Sequence, residues 1–494
     1  MSRGRRAAAA TGLATLALVL LPHGAAAQDW PRESPPRPLP SRPIAFPPYQ
    51  LKTLSNGLQV LVIPQHEEPS VSLRLLIKAG SAQDPADKPG VANFMASLLD
   101  QGTTSKSAQA IADLVESSGG ILGVGAGNEL SFVNAGVVKD RFDALLDLTS
   151  EIAQRPAFSP AEIDRQRQQL LSGMQVTNDD PEYVATLVFD RLVYGFHPYG
   201  RPGNGTPASV PKITREDLVA FHRAWFVPNN AFLAIVGDVT ADEAFASAER
   251  AFGKWAGHDV PKVTPMEPPP PTMRIVVIDK PGSVQTEIRV GQLAVPRTHR
   301  DYIPLDLAMR VLGGEGANRL FGVLRTDRGL TYGASAELRT FKSAGALVAE
   351  TNTRSAATGE VLRLVVDEFW RIRRERVDPR ELAGAEDYLS GSFPLTVETS
   401  SAIALQVLNQ LFYGMPLKDL ETYRDRVNQV GVDDIVRVAQ AFLQPDRLAI
   451  VLVGDASTFV DQLKAQGFSK FERIPISELD LNSPDLRRGG KGSF

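Results

Sequence analysis

The sequence has no cysteine and only six histidines among its 494 residues. Without cysteine the chain can form no disulfide, no thiolate nucleophile and no lipid-modified cysteine anchor. No two histidines stand four residues apart, which is the spacing that places two zinc ligands on one face of a helix. A disulfide framework and a helix-borne histidine pair are therefore both excluded.

A basic surface of the kind that binds nucleic acid is also missing. Lysine and arginine total 53 and aspartate and glutamate total 57, so the charges nearly balance. The composition, 43% apolar and 22% charged, is that of an ordinary globular protein of more than one domain. Nothing in these numbers favours a nucleic-acid partner.

The first residues have the layout of a secretory signal peptide. Three arginines precede an apolar run over 7–21, and the small residues Ala25 and Ala27 are placed for cleavage. We expect a signal peptide at 1–27 and a periplasmic or otherwise exported protein with no stable membrane span after cleavage. The alternative is an uncleaved anchor, for which the apolar run is short.

Two proline-rich stretches divide the rest of the chain. The first, 28–48, predicts an extended segment after the signal peptide. The second, 261–273, contains four consecutive prolines and predicts a semi-rigid linker, because proline continues neither a helix nor a central strand. The linker separates an N-terminal repeat at 49–260 from a C-terminal repeat at 274–494.

The two parts contain related segments, which begin at Val210 and Val427 and align without a gap at an offset of 217. Each segment predicts a helix, a proline-containing turn and a buried strand that ends in Gly-Asp. Identical positions include Val210/Val427, Asp217/Asp434, Pro228/Pro445 and Gly237-Asp238/Gly454-Asp455. Such a repeat indicates duplicated domains.

Adjacent strand patterns at the start of the first repeat, LQVLVIP and VSLRLLIKAG, are followed by several amphipathic segments. This order favours an α+β fold, in which each repeat has a mainly antiparallel sheet with helices packed on one face. The segment VANFMASLLDQ predicts a helix whose apolar stripe belongs to the core. Its opposite face carries Asn93, Ala96 and Ser97, and Asn93 and Ser97 are neighbours at i and i+4.

This spacing is that of H-x-x-E-H, in which two histidines bind zinc and the glutamate is the general base. The surrounding GSAQDPADKPGVANFMASLLDQGTT resembles the inverted-zincin segment of the pitrilysin/insulinase-type metallopeptidases, which include the mitochondrial processing peptidase. FHPYGRP and VVIDKPGSVQTEIRVG resemble later parts of the same family. The resemblance implies a half-clamshell of two α+β repeats, and two half-clamshells close around a peptide.

The resemblance places the two zinc-binding histidines at Asn93 and Ser97, the base at Ala96 and a third ligand, a glutamate, at or near Met174. None of these residues suits its role, because amide and hydroxyl groups are poor zinc ligands and alanine accepts no proton. We therefore expect no metal and no catalytic base in this chain. Asn93 and Ser97 are then interpreted as a solvent-facing polar flank, and His197 as a structural loop residue.

In active members of the family, an arginine and a tyrosine seven residues apart in the second repeat hold the substrate carbonyl and stabilise the oxyanion. Here LRTDRGLTY places them at Arg325 and Tyr332. Alternatives remain open: Tyr332 on a strand 330–338 could belong to the core, and Arg328 could be the functional arginine. The Gly313, Gly314 and Gly316 cluster either binds peptide backbone or makes a tight turn.

In some family members one subunit carries H-x-x-E-H and the other keeps only the Arg/Tyr pair. The leading hypothesis is the non-zinc subunit of a periplasmic two-chain peptidase, as a heterodimer or a dimer of heterodimers. An H-x-x-E-H homologue would supply zinc, and peptides would be the substrate. A catalytically inactive homodimer that binds peptides or scaffolds an envelope complex is the alternative. A self-sufficient metalloenzyme with unusual ligands is the third reading.

Overall fold

The computed structural model of the chain describes residues 48–264, 266–314, 316 and 318–489. The predicted signal peptide at 1–27 lies outside the described residues, as does the proline-rich segment 28–48 except for its last residue. The predicted linker 261–273 is described apart from residue 265, and it forms neither helix nor strand where it is described.

Twelve strands occur in the described residues. They are β1 (Gln50–Thr53), β2 (Gln59–Pro64), β3 (Ser70–Ile77), β4 (Ile121–Ala126), β5 (Ser131–Val138), β6 (Ala231–Gly237), β7 (Arg274–Asp279), β8 (Gln285–Ala294), β9 (Ala334–Thr340), β10 (Gly345–Arg354), β11 (Ala449–Gly454) and β12 (Glu472–Pro475).

The helices of the first repeat are α1 (Val91–Ala96), α2 (Ala108–Ser117), α3 (Phe142–Gln154), α4 (Pro160–Thr177), α5 (Pro181–Tyr194), α6 (Arg215–Trp225) and α7 (Ala241–Phe252). Those of the second are α8 (Tyr302–Gly313), α9 (Arg319–Phe321), α10 (Thr358–Arg374), α11 (Pro379–Ser392), α12 (Ser400–Tyr413), α13 (Lys418–Glu421), α14 (Tyr423–Asn428), α15 (Val432–Phe442) and α16 (Ala456–Ala465). None of the described helices is long and apolar enough to cross a bilayer.

Each repeat contributes one six-stranded mixed sheet. The strand order is β1-β2-β6-β3-β5-β4 in the first sheet and β12-β7-β11-β8-β10-β9 in the second. Parallel pairing is limited to β2 with β6 in the first sheet, and to β7 with β11 and with β12 in the second. All other neighbours are antiparallel. The predicted α+β fold of two duplicated, mainly antiparallel halves is confirmed.

The repeated aspartates, Asp217 and Asp434, begin equivalent helices in the same way. Each carboxylate accepts a hydrogen bond from the backbone N–H of the residue that caps its helix, at 2.8 Å from Thr214 and 3.1 Å from Gly431. A carboxylate in the first turn also lies favourably in the field of the helix dipole. The helices that follow, α6 and α15, are related by the offset of 217 found in the sequence.

The repeated glycines, Gly237 and Gly454, end equivalent central strands where another strand passes close by. A Cβ atom on Gly237 would lie 2.1 Å from the carbonyl oxygen of Ser70, and one on Gly454 would lie 2.8 Å from the hydroxyl of Thr286. Only glycine fits such approaches without moving the neighbouring strand. This explains why glycine recurs at this position in both halves.

The central strands are buried on both faces, so each sheet needs a second layer of cover. One face of each sheet packs against helices of its own repeat. The other face is covered by a helix of the opposite repeat: α5 packs on the second sheet, and α12 packs on the first. The two repeats therefore exchange helices, and helices lie on both faces of each sheet.

The exchanged helices occupy corresponding positions in the two repeats. Both end in Tyr-Gly, at Tyr194-Gly195 and Tyr413-Gly414, and both glycines have positive φ, at 61° and 67°. Phe189 of α5 sits directly over Gly291 of β8, where a Cβ atom would lie only 2.8 Å from its ring. The absent side chain of Gly291 thus makes room for the helix of the other repeat.

The contribution of this helix exchange is testable with one pair of Val→Ala changes. Val188 on α5 is fully buried against the second sheet, whereas Val176 at the end of α4 is 75% exposed. We expect Val188→Ala to lower the free energy of unfolding by about 2 kcal/mol, because it empties space between the helix and the sheet. Val176→Ala should change it by less than about 0.5 kcal/mol.

Urea-induced unfolding followed by circular dichroism measures both variants. Equal stability of the two proteins would mean that α5 does not contribute to the packing of the second sheet.

Candidate functional site

The loop that precedes α1 is fixed by a buried carboxylate. Asp84 accepts hydrogen bonds from the backbone N–H groups of Gly90, at 2.7 Å, and Ala92, at 2.8 Å. Burial raises the pKa of Asp84 to about 7, although these two donors act in the opposite direction. Asp84 of the GSAQDPADKPG segment is therefore a buried acceptor that fixes the backbone at the start of α1, whose N-cap is Gly90.

The three positions that the resemblance assigns to zinc and base serve structural contacts. The Asn93 amide donates to the carbonyl oxygen of Gly203 at 2.9 Å, and the Ser97 hydroxyl donates to that of Phe94 at 2.8 Å. Ala96 is fully buried in the core. Asn93 and Ser97, interpreted as a solvent-facing polar flank, are half-buried, and Asn93 ties α1 to the 202–206 loop.

The helix itself is shorter than the sequence pattern predicted. The regular α-helix ends at Ala96, and the chain goes on as turns through residue 100. Leu98 and Leu99 in these turns are still buried. A run of turns keeps the apolar side chains on the core side, so the periodicity of the sequence persists beyond the helix.

Asn93, Ser97 and Met174 do not fit a zinc ion. The Asn93 amide donates to Gly203 and the Ser97 hydroxyl donates to its own helix. Met174 offers a buried thioether where the resemblance places a glutamate. Within the described part of the chain, no group of three His, Asp or Glu side chains is placed to hold a metal ion.

His197 lies in an aromatic cluster, and it is not part of a group of potential metal ligands among the described residues. Its ring packs at 4.5 Å from the ring of Tyr199 and 6.3 Å from that of Tyr194, and Nδ1 accepts a hydrogen bond from the Tyr199 N–H. Burial lowers the pKa of its imidazole, which favours the neutral form. This histidine shapes the loop, in agreement with its interpretation as a structural residue.

Arg325 and Tyr332 meet at the surface of the second repeat. The Arg325 guanidinium lies 4.8 Å from the centres of two rings, those of Phe321 and Tyr332. The Tyr332 side chain is 84% exposed. No carboxylate of the described residues forms an ion pair with Arg325. The pair is thus held together by a cation–π contact and keeps its hydrogen-bond donors available.

The strand predicted over 330–338 begins only at Ala334, so Tyr332 is a loop residue and not a core tyrosine. Two buried threonines of β10 anchor this loop. Thr353 donates to the Leu330 carbonyl at 2.6 Å, and Thr351 donates to the Gly333 carbonyl at 2.9 Å. Sequence reasoning missed both threonines, although their alternation in ETNTR was the available signal.

The other candidate arginine, Arg328, forms an ion pair and does not contact Tyr332 among the interactions of the described residues. Its guanidinium forms an ion pair at 2.9 Å with Glu360 of α10, on the outside of the molecule. Arg325 lies on the π-helical turn over Gly322–Thr326, which continues α9. Asn318 caps α9 by accepting from the Phe321 N–H at 2.8 Å, so the turn that carries Arg325 starts from a fixed point.

Gly313 marks the closest approach of α8 to β9. A Cβ atom at this position would lie 2.2 Å from the backbone nitrogen of Ala336. Gly314 is crowded in a similar way by Arg310. Of the two interpretations of this cluster, a tight turn that lets a helix end pack onto a strand accounts for Gly313.

Beside Tyr332 the surface opens into a cleft of about 670 Å³. Its floor holds Arg289, which is only 2% exposed and shared by three carboxylates: Glu287 at 3.4 Å, Glu350 at 3.5 Å and Glu182 at 3.8 Å. Burial raises the pKa of Glu287. Glu182 comes from α5, so the helix exchange brings residues of both repeats to this cleft.

Comparison with protein-family models gives two adjacent matches. A model described as Insulinase (Peptidase family M16) matches residues 59–206, and one described as Peptidase M16 inactive domain matches residues 212–389. The chain belongs to peptidase family M16. Within the part that the insulinase model matches, residues 93, 96 and 97 are Asn, Ala and Ser.

Relatives cover nearly the whole M16 chain. A protein of Mycobacterium tuberculosis named as an uncharacterized zinc protease is 27% identical over 438 residues, which are 87% of this chain and 99% of the relative. The crystal structure of a peptidase M16 inactive domain from Pseudomonas fluorescens is similar at 29% identity and a TM-score of 0.77, over 82% of this chain and 98% of that one.

A protease from Helicobacter pylori, at 22% identity and a TM-score of 0.76, covers 83% of this chain and 100% of its own. At that identity the likeness supports the fold alone. The M16 fold therefore extends over both repeats of this chain.

The packing of α8 against β9, one side of the cleft, is testable with two glycines. Gly313→Ala should lower the free energy of unfolding by about 1–3 kcal/mol, because its Cβ would force α8 away from Ala336. Gly322 has open space around it and an ordinary helical conformation, so Gly322→Ala should be neutral or slightly stabilising. Urea titration of both variants is the measurement, and equal stabilities would contradict the close packing at Gly313.

Proposed function

We propose that this M16 chain is the non-zinc subunit of a periplasmic two-chain peptidase. A homologous partner with H-x-x-E-H supplies the zinc and the general base, and this chain supplies Arg325 and Tyr332. The observation that carries the proposal is the exposed Tyr332 ring with the Arg325 guanidinium 4.8 Å from its centre. The two side chains bind the carbonyl oxygen of a peptide substrate.

The exposed Tyr332 ring contributes little buried apolar surface to the stability of the fold. A large aromatic ring is normally buried, since burial of its apolar surface is favourable. Here the loop is held in place by Thr351 and Thr353, and the ring still points away from the core. A tyrosine presented in this way is suited to contact another molecule.

The chemistry fits peptide hydrolysis. Attack on a peptide carbonyl builds negative charge on its oxygen, and a phenol and a guanidinium can both donate hydrogen bonds to it. Stacking of Arg325 on the two rings fixes the guanidinium before substrate arrives, so little reorganisation is needed. One well-placed donor of this kind contributes about 3–4 kcal/mol to catalysis.

Peptides are the proposed substrates because the cleft beside Tyr332 is large and carries several charged side chains on a partly apolar surface. Its volume of about 670 Å³ is within the range of small-ligand sites, and its wall carries more carboxylates than arginines. The proposed periplasmic location follows from the signal-peptide pattern at 1–27, and the proposed heterodimer follows from the missing zinc ligands.

The first test is hydrolysis of a quenched oligopeptide with zinc present. The mature chain is assayed alone, the H-x-x-E-H relative from the same genome is assayed alone, and the two are assayed as a mixture. Activity in the mixture only is the expected result. Full activity of the relative alone, unchanged by mixing, would assign this chain to peptide binding or scaffolding.

Tyr332→Phe tests the phenol. It removes one donor and keeps the ring under Arg325, so the mixed complex should assemble normally and lose about 10²–10³-fold in kcat. Tyr49→Phe, at a half-buried tyrosine near the start of the first repeat, is the matched control and should leave kcat unchanged. Size-exclusion chromatography checks assembly. Unchanged turnover with Tyr332→Phe would remove the role assigned to Tyr332.

Arg325→Ala and Arg328→Ala distinguish the two arginines. Arg325→Ala should lower kcat/KM of the mixed complex by about 10²-fold or more, because a charged donor to the oxyanion is lost. Arg328→Ala breaks only the outer ion pair with Glu360 and should leave kcat/KM within about twofold. The reverse order of effects would make Arg328 the functional residue.

A further inference from the structure

A second cavity of about 630 Å³ lies in the second repeat, apart from the Arg325/Tyr332 pair. It is bounded by α8, the end of α11, α12, and the segment that runs from Gly414 to α14. Neither Arg325 nor Tyr332 is among the residues that line it. Its size is typical of a site for a small organic ligand.

The charges around this cavity are mostly positive. Four arginines line it, namely Arg297, Arg300, Arg310 and Arg426, against the single carboxylate of Asp419. Asp419 is already paired with Arg426 at 3.0 Å. Asp301 and Asp306, which do not line the cavity, partner Arg300 and Arg310, so one guanidinium is left to attract an anion.

Arg297 is the guanidinium best placed to bind one. It stacks on the ring of Tyr302 at 3.8 Å, which fixes its position. Among the described residues no carboxylate forms an ion pair with it, in contrast to the other three arginines. A guanidinium that Tyr302 fixes and that has no carboxylate partner is preorganised to hold a carboxylate.

Gln410 supplies a second, independent sign of a ligand. Its side chain lines the cavity from α12 and is only 7% exposed, yet its amide oxygen has no hydrogen-bond partner. A buried amide oxygen without a partner keeps a desolvation penalty that a ligand N–H group would relieve. An inorganic anion such as phosphate has no N–H group.

Part of the remaining wall is apolar and extends to the rim. Ile303, Leu389 and Phe393 line the interior, while Leu395 at the rim leaves most of its side chain exposed. A ligand therefore meets a guanidinium, an unsatisfied amide and an apolar surface within one cavity. The carboxyl-terminal residue of a peptide presents the matching groups: a carboxylate, one amide N–H and a side chain.

We propose that this cavity binds the carboxyl-terminal residue of a peptide, with an apolar side chain in that position. Arg297 holds the carboxylate, Gln410 accepts from the terminal amide N–H, and the apolar wall receives the side chain. The site is a property of this chain alone. It does not depend on the role proposed for Arg325 and Tyr332 or on a partner with zinc.

Isothermal titration calorimetry of the mature chain, without any partner, tests the proposal. The probes are N-acetyl-glycyl-leucine, its carboxyamide and inorganic phosphate. We expect the carboxylate probe to bind at least about tenfold more tightly than the amide, because the amide loses the charge-assisted hydrogen bonds. Phosphate should not displace it at equal concentration. Equal binding of carboxylate and amide, or no binding, would overturn the proposal.

Variants assign the contacts. Arg297→Gln and Gln410→Leu should each weaken binding of the carboxylate probe by about tenfold. Arg297→Lys keeps the charge and should restore part of the affinity. Arg363→Gln, on the outer face of α10 beyond the cavity, is the matched control and should bind like the unchanged chain.

Thermal unfolding checks that each variant is folded, and the comparison of carboxylate with amide on the unchanged chain needs no variant. Displacement of the peptide by phosphate at equal concentration would make this a general anion site and would overturn the assigned ligand.

Discussion

The requirement to cover both faces of two apolar sheets determines how the rest of this molecule is arranged. The central strands β6 and β11 are buried throughout their length, and the helices of one repeat can cover only one face. The chain meets this requirement by sending α5 and α12 across to the opposite sheets. Burial of apolar surface is the dominant favourable term in folding, so this exchange fixes one repeat against the other. It also brings Glu182 of the first repeat to the cleft of the second.

The loop and helix around residues 93–97 are held by contacts that involve no metal ion. Asp84 accepts hydrogen bonds from the backbone at the start of α1, and the apolar residues of that helix are buried in the core. Asn93 and Ser97 have local partners, which removes the penalty that unpaired polar groups would otherwise incur. The second repeat, in contrast, presents the Arg325 guanidinium and the Tyr332 phenol at the surface, where stability does not require them.

Much of the fold could be predicted from the sequence because it depends on local patterns. The offset of 217 in the sequence identified the two related halves. In the structure Asp217 and Asp434 lie in the first turns of equivalent helices, and the Gly-Asp pairs that follow end equivalent strands. The exchange of α5 and α12 could not be predicted, because amphipathicity shows that a helix has an apolar face but not which sheet receives it. The exposure of Tyr332 agrees with a surface position and excludes the alternative of a core tyrosine. Alternation placed it on a strand, whereas the threonines of β10, distant in sequence, hold it in a loop. Arg325 and Tyr332 were both placed by the resemblance at a spacing of seven residues, and their role in substrate binding stays a prediction.

The helix exchange has a consequence for the order in which a nascent chain can fold. Synthesis from the N-terminus completes the strands of the first sheet at Gly237, but the helix that covers its outer face begins only at residue 400. During that interval Leu61, Ile63 and Phe232 have no native cover, while α5 is made long before the sheet on which it packs. Vectorial folding of the first repeat is therefore left unfinished until most of the second has been synthesised. An apolar face that stays uncovered during the synthesis of so many residues is where a holdase chaperone would bind the growing polypeptide.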